Sequence, residues 1–422
     1  MGYILYNILL VLSFPLFACI SWRRHCRRGG QKNDIFKRFG LNLSPDIPLG
    51  CVWIQALSVG EVTLARVLID LLRKESSLPI FLTTTTITGF RTAQRLLPEI
   101  PITYFPFDLP FIWPSFLRRC KPRIFISLET EFWPNLLLAL TRRRIPSVLL
   151  NGRFSPNSYR RFRKVSFMTT PVFAQFQGVG MRSRREADWI INLGVLPERV
   201  TVTGNIKYDV VFRQAEGIKT EEARNEFLLT GPSIVFGSIH PEEEAMAVEV
   251  SQRLLSQLPD LKIILAPRHL ERSNLETIFQ KERLRYQKFS LLRAPFSENF
   301  LFLNVMGRLN RAYAVSCAAF VGGSLTVFGD GGHNLVEPAV FAKPVAFGPH
   351  AWNFKEEAEI LRKSGGGELV LDANGLYIFF LRCLSEPDRA KESGAKAYQA
   401  ISRETGAAER SLPIIRKALS SN

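Results

Sequence analysis

From Cys51 onward, short apolar runs alternate with longer amphipathic stretches. Cys51 to Leu57, Pro79 to Thr84, Ile102 to Phe107, Arg123 to Leu128 and Ser147 to Asn151 have the continuous apolar character of buried strands. Between them, Val62 to Arg73 places Val62, Ala65, Leu68, Ile69 and Leu72 on one helical stripe, and Trp133 to Arg143 repeats the pattern. Strands separated by helices predict a parallel sheet covered on both faces. The pattern restarts after a polar stretch near Tyr208 to Arg224, with strands expected at Ser233 to Ile239, Lys262 to Ala266, Phe300 to Leu303, Ala318 to Gly322 and Pro344 to Gly348. The expected organisation is α/β: two doubly wound domains over residues 45–205 and 230–422, joined by a linker near 205 to 230. The length of 422 residues accommodates two cores of ordinary size.

Ahead of these domains, residues 1–22 carry no charged side chain, and Tyr3 to Ile20 is mostly apolar. That is at the lower limit for crossing a bilayer. Arg23, Arg24, Arg27 and Arg28 follow the apolar run, whereas a cleaved signal peptide has its positive charge in front. The segment therefore reads as a membrane anchor that leaves the rest of the chain in the cytoplasm.

Polar residues recur just past the expected strands: Ser58-Val59-Gly60-Glu61, Thr83 to Thr86, Glu129-Thr130-Glu131, Gly237-Ser238-Ile239-His240 and Pro267-Arg268-His269. Ligands of doubly wound sheets bind in the crevice outside the strands' carboxyl ends, so this placement predicts an active cleft. The strand Ala318 to Val321 runs into Gly322-Gly323-Ser324, and Gly331-Gly332-His333-Asn334-Leu335-Val336-Glu337-Pro338 follows closely. Asn334 to Phe341 reads as a helix whose positive end attracts phosphate, with the Glu337 carboxylate able to accept from sugar hydroxyls. A nucleotide-sugar site fits.

The charge of +17 is uneven, with clusters at Arg142 to Arg144, Arg160 to Lys164 and Arg182 to Arg185, all in the first half. A basic face of that kind suits an anionic membrane surface or lipid. Nucleic acid is disfavoured, because only Phe154, Tyr159 and Phe162 interleave with the arginines. Six cysteines without CxxC spacing imply reduced thiols rather than a disulfide framework or a metal knot. No Asp-x-Asp occurs, so a metal-bridged pyrophosphate site has no support in the sequence.

No histidine lies between His25 and His240, so a general base in the first domain has to be a carboxylate: Glu61, Glu129 or Glu131. Glu61 begins a helix, which favours its ionised form and equally suits a plain capping role. Arg268 offers forked donors for phosphate, and Ser238 beside Gly237 offers a contact to phosphate or base.

Together these stretches resemble the Kdo (3-deoxy-D-manno-octulosonic acid) transferase family. The likeness runs from Lys37-Arg38-Phe39-Gly40 through Ala56 to Glu61, Glu129 to Asn135, Asn151 to Ser155, Gly204-Asn205-Ile206-Lys207, Gly237 to His240 and Pro267 to His269 to the Gly-Gly-His-Asn segment. The resemblance implies a GT-B glycosyltransferase with two Rossmann-like domains facing across a cleft. It further implies an inverting, metal-independent enzyme without cofactor that uses CMP-Kdo as donor and a phosphorylated lipid A precursor (lipid IVA) as acceptor. Glu61 is then the base and Glu129 essential beside it, and Arg268, Asn334 and Glu337 meet the CMP moiety. Lys207, Ser238 and Gly332 are expected to assist at the donor phosphate. One departure is Gln55, where relatives commonly carry His. A GT-B enzyme using a UDP-linked sugar is the alternative that competition between CMP and UDP separates.

Overall fold

The computed structural model describes residues 2–27, 29–31, 33–41, 47–295, 297–327 and 331–420. Met1, Arg28, Pro45, Asp46, Ser421 and Asn422, all part of the sequence reading above, lie outside the described residues. The chain forms two compact units, Met1–Val210 together with Thr405–Asn422, and Val211–Glu404.

The first unit is built on β1 (Val52–Gln55), β2 (Ile80–Thr84), β3 (Ile102–Tyr104), β4 (Ile124–Leu128), β5 (Ser147–Gly152), β6 (Gly178–Met181) and β7 (Val200–Val202), in the order β3-β2-β1-β4-β5-β6-β7. All neighbours are parallel. Alternate residues of each strand feed opposite faces. Val52 and Ile54 join an aliphatic core, while Trp53, Phe81 and Phe125 join an aromatic one. Every residue of β1, β2, β4 and β5 is buried, which is why these strands read as mostly apolar runs rather than alternating ones.

The second unit repeats the plan with β8 (Ser233–Ile239), β9 (Lys262–Pro267), β10 (Tyr286–Lys288), β11 (Phe300–Phe302), β12 (Ala318–Val321), β13 (Val345–Phe347) and β14 (Gly367–Leu369). Their order is β10-β11-β9-β8-β12-β13-β14, again with parallel neighbours throughout. The strand order reverses between β1 and β4 in the first sheet and between β8 and β12 in the second. Loops leaving those adjacent strands turn to opposite faces, which opens a crevice at each switch point.

Two boundaries differ from the sequence reading. The stretch expected as a linker is the helices Ile206–Glu216 and Thr220–Glu226. The chain's end, expected in the second domain, packs on the first instead. Helix Ala407–Ser420 lies against β5, β6 and helix Val59–Glu75, and puts Leu412, Ile414 and Ile415 into the aliphatic core. An apolar helical stripe carries no signature of the sheet it will cover, so sequence order assigned it to the nearer domain. Its start is fixed by Asp209, whose carboxylate accepts from the amides of Gly406 (2.6 Å) and Ala408 (2.8 Å). Asp209→Ala leaves both amides without that partner and is expected to destabilise the first unit by about 1–3 kcal/mol, read as a lower denaturant midpoint.

Candidate functional site

At the switch point of the first sheet, β1 leads through Ser58 into helix Val59–Glu75 and places Glu61 in its first turn. Glu61 is 7% exposed. Its carboxylate accepts from the amide of Leu57 (2.5 Å) and the hydroxyl of Ser58 (3.1 Å). The helix terminus was expected to favour ionisation. Instead burial dominates, pushing the Glu61 pKa up to about 7, with repulsion from Glu129 adding to the rise and the two hydrogen bonds and Arg153 opposing it. A carboxylate poised near neutrality suits proton abstraction better than one fixed in the charged state. The capping contact and the carboxyl poised near neutrality are thus the same side chain.

Across the switch point, Glu129 follows β4 with a left-handed backbone (φ 59°). A non-glycine residue held there marks a place where the surroundings dictate the backbone. Its Oε1 accepts from Arg182 at 2.5 Å. Arg182 follows β6, and its side chain is only 15% exposed. It was grouped with the basic face in the sequence reading, but it is an internal strut that holds Glu129. Glu131 completes the cluster; burial first, then Glu61 and Glu129, push its pKa up to about 8. Glu131 thus takes on negative charge less readily than an exposed carboxyl. The Thr130 hydroxyl donates to the carbonyl of Arg153 and accepts from its amide, tying the β4 and β5 loops together.

The threonine run divides by role. Thr83 accepts from the indole of Trp53 at 2.9 Å, and Thr86 caps the next helix by accepting from Gly89 at 3.0 Å. Among the described residues, the buried hydroxyls of Thr84 and Thr85, the amide nitrogens of Gln55 and Asn151, and Nε of Arg182 have no hydrogen-bond partner. All five lie at or just past the carboxyl ends of strands in this sheet. Buried polar atoms are rarely left unmet, so this clustering marks a polar ligand's place.

In the second unit, the switch point between β8 and β12 carries the glycine loop. Ser238 sits on β8 with a left-handed backbone (φ 54°). A Cβ on Gly322 would come within 2.6 Å of Ile239 Cα and 2.7 Å of the Ser238 carbonyl, so only glycine lets these strands leave the sheet side by side. Gly332 has φ +81° and donates to the Gly323 carbonyl at 2.7 Å, folding the loop back on itself.

The organiser of this loop is Glu243, which the sequence reading missed. It is 1% exposed, in the first turn of helix Pro241–Leu255. Oε2 accepts from His240 N (3.0 Å) and Gly323 N (2.7 Å), and Oε1 accepts from Ser324 N (3.1 Å) and Leu325 N (3.0 Å). The available signal was a capping box: His240 at the cap and Glu243 three residues on. The rings of His240 and His333 stack, with Nε2 atoms 2.8 Å apart, joining the β8 loop to the Gly-Gly-His-Asn segment. The His269 ring packs edge-on against His240.

Arg268 is exposed just past β9, its amide donating to the Ile239 carbonyl at 2.9 Å. Asn334 and Glu337 are joined, Nδ2 to Oε1, at 3.2 Å. The helix expected from Asn334 to Phe341 is a single turn, Val336–Ala339, ended where Ala342 turns left-handed before Pro344 and β13. One turn has little macrodipole, so the start of this helix offers an anion little of the attraction expected from it. Lys207, expected with these donor-site residues, belongs to the first unit, in helix Ile206–Glu216. Among the described residues, no group of three or more His, Cys, Asp or Glu is arranged to hold a metal ion.

Residues 33–210 match the family described as 3-deoxy-D-manno-octulosonic-acid transferase (kdotransferase). The chain is 31% identical to the 3-deoxy-D-manno-octulosonic acid transferase of Haemophilus influenzae over 99% of both chains. It is also 31% identical to the transferase of that name from Bordetella pertussis, over 98% of both. Among solved structures it is similar to UDP-GlcNAc 2-epimerase from Neisseria meningitidis, with TM-score 0.59 and 15% identity over 88% of this chain and all of that one (100%). That likeness bears on the fold alone, and agrees with a GT-B architecture of two Rossmann-like units.

Proposed function

The chain belongs to the Kdo transferase family, glycosyltransferases of lipopolysaccharide biosynthesis, and on that premise we propose that Glu61 is the base of an inverting, metal-independent transfer from CMP-Kdo to a phosphorylated lipid A precursor such as lipid IVA. The observation carrying this reading is the carboxylate trio at the β1/β4 switch point, with Glu61 buried, hydrogen-bonded and titrating near 7. The acceptor hydroxyl gives its proton to Glu61 as its oxygen bonds to the anomeric carbon of Kdo. The bond from that carbon to the phosphate oxygen breaks in the same displacement, and CMP leaves with the electron pair, so configuration inverts. Arg268 and the amides of the glycine loop meet the charge developing on CMP, which is the work a metal would otherwise do. Glu129, held by Arg182, orients the acceptor. Lys207 serves as a further cation for the donor.

The acceptor's phosphates and lipid fit the basic side of the first unit. Arg142 to Arg144, Arg160, Arg161, Arg163 and Lys164 are all exposed there. Together with the apolar N-terminal helix, they support residence at the cytoplasmic face of the inner membrane.

The test is a radiolabel transfer assay with purified protein, CMP-Kdo generated in situ and tetra-acylated lipid A precursor. Labelled glycolipid formed with release of CMP is the expected result, and the product ladder counts the Kdo units added. Absence of transfer, together with saturable binding of a UDP-sugar that CMP fails to displace, would overturn the donor and acceptor assignment.

The same assay run against pH should show an acid limb. Glu61 must be ionised to accept a proton, and its pKa is pushed up to about 7. Turnover is therefore expected to rise about tenfold per pH unit below 7 and to level off above it. A limb near the usual carboxylate value would remove Glu61 from the role.

A further inference from the structure

The N-terminal helix, Gly2–Arg27, is 26 residues long with a mean hydropathy of 2.1 over its most apolar window, sufficient in length and composition to cross a bilayer. Its contacts argue otherwise. Tyr6 donates to the Asp108 carboxylate at 3.0 Å. Asn7 and Asn135 exchange a reciprocal pair of amide hydrogen bonds at 3.0 and 2.8 Å. Phe14 packs edge-on against Phe39 and Phe107, with ring centroids 5.9 and 5.1 Å apart. Further along, Ser21 accepts from Arg38 at 3.1 Å, and His25 meets Asp34 at 2.9 Å. Positions 6, 7, 14, 21 and 25 make one helical stripe, so the helix is fastened to the folded body from its first turns to its last.

The body is built to receive it. Asp108 is 4% exposed and also accepts from Trp113 Nε1, Asn135 N and Leu136 N at 2.8 to 3.0 Å. Lifting the helix away would cost Asp108 its bond from Tyr6, leave the Asn135 side-chain oxygen without its donor, and carry Asn7 into hydrocarbon.

The opposite stripe is apolar and uncovered: Ile4, Ile8, Val11, Leu12, Leu16 and Ile20 range from 44% to 75% exposed. Beside it runs an apolar groove of about 620 Å³, lined by Ile8, Leu12, Pro110 and Leu138 together with Arg142. The adjoining helix Ser166–Phe173 turns out Phe167, 52% exposed, and is followed back along the chain by the cationic helix Pro156–Lys164. Arg23, Arg24 and Arg27 are exposed at the helix's own end. A long apolar strip bordered by arginines matches a membrane surface with anionic headgroups.

We infer that the N-terminal helix lies in the plane of the bilayer, with one face on the first unit and the other sunk into the acyl region of an anionic leaflet. This rests on the proposed membrane residence, and it makes the anchor monotopic rather than spanning. It also accounts for the composition. A helix apolar nearly all round is expected when protein covers one side and lipid the other. The groove beside it then takes an acyl chain of a lipid whose headgroup phosphate meets Arg142.

The test uses the full chain with an N-terminal epitope tag, in inverted vesicles of a bacterial inner membrane treated with protease. The expected result is a chain that sediments with the vesicles and loses its tag while the vesicles are intact, because both helix ends stay on the cytoplasmic face. A tag protected until detergent is added would overturn the in-plane pose and leave membrane residence standing. Recovery of the chain in the soluble fraction would overturn both.

Discussion

Glu61→Gln will lower Kdo transfer by about 10²–10⁴-fold, the usual contribution of a positioned base, while binding of CMP to the isolated donor step stays unchanged. The substitution is nearly isosteric. A glutamine oxygen can still accept from Leu57, and the Ser58 hydroxyl can rotate to accept from the new amide, so the helix start survives. What disappears is a group able to take a proton. Single-turnover measurement with saturating donor isolates that step, and calorimetry with CMP checks the second unit. The variant should also be more stable than the parent above pH 7. The folded pKa of Glu61 lies above the ordinary carboxylate value, so the folded protein binds more protons between those two values and stability falls as pH rises through that window. Glutamine removes that penalty. Loss of activity with a gain in alkaline stability is the signature of a catalytic group held at the fold's expense. Wild-type-like turnover would move the base to Glu129 or Glu131.

The sequence showed the strands best where both faces are buried, because β1, β4, β5, β8 and β9 are mostly apolar, with polar residues only near their ends. It hid β6, whose Gly178-Val179-Gly180-Met181 lacks an apolar run, and β7, a three-residue edge strand with Thr201 and Val202 exposed. The positions of Glu61, Glu129 and Arg268 were legible because they stand just past strands, and that of Ser238 because it stands at the carboxyl end of one, where loops are placed to meet a ligand. Partnership was not legible. Arg182 looks like its neighbours Arg184 and Arg185 in the chain, yet only Arg182 follows a strand into the carboxylate cluster. Glu243 is one of three consecutive glutamates, and helical phase alone turns it toward the glycine loop. The orientation of Glu337 and the shortness of its helix depend on how residues 342–344 enter β13, a tertiary matter no local pattern encodes.

Glu243→Gln should give the opposite kinetic signature to Glu61→Gln. Two oxygens of Glu243 serve four buried amides, two apiece. An amide side chain keeps one acceptor oxygen and turns an NH₂ group toward two N–H donors, so two backbone amides lose their partner. At about 1–3 kcal/mol for each, the loss is a large share of the 5–15 kcal/mol typical of a domain. The second unit should melt at a lower temperature, and the loop from Gly323 to Leu325 should exchange its amide protons faster. Because Ser238 and the Gly-Gly-His-Asn segment are set by that loop, CMP affinity should fall by about tenfold or more, for a loss near 1.4 kcal/mol. The carboxylates of the first unit are untouched, so turnover at saturating CMP-Kdo should recover while KM rises. Unchanged melting and unchanged CMP affinity would mean that the His240–His333 contact and the Gly332–Gly323 bond hold the loop without Glu243. In that case the loop's order originates in the Gly-Gly-His-Asn segment itself, and His333→Ala would become the substitution that weakens donor binding.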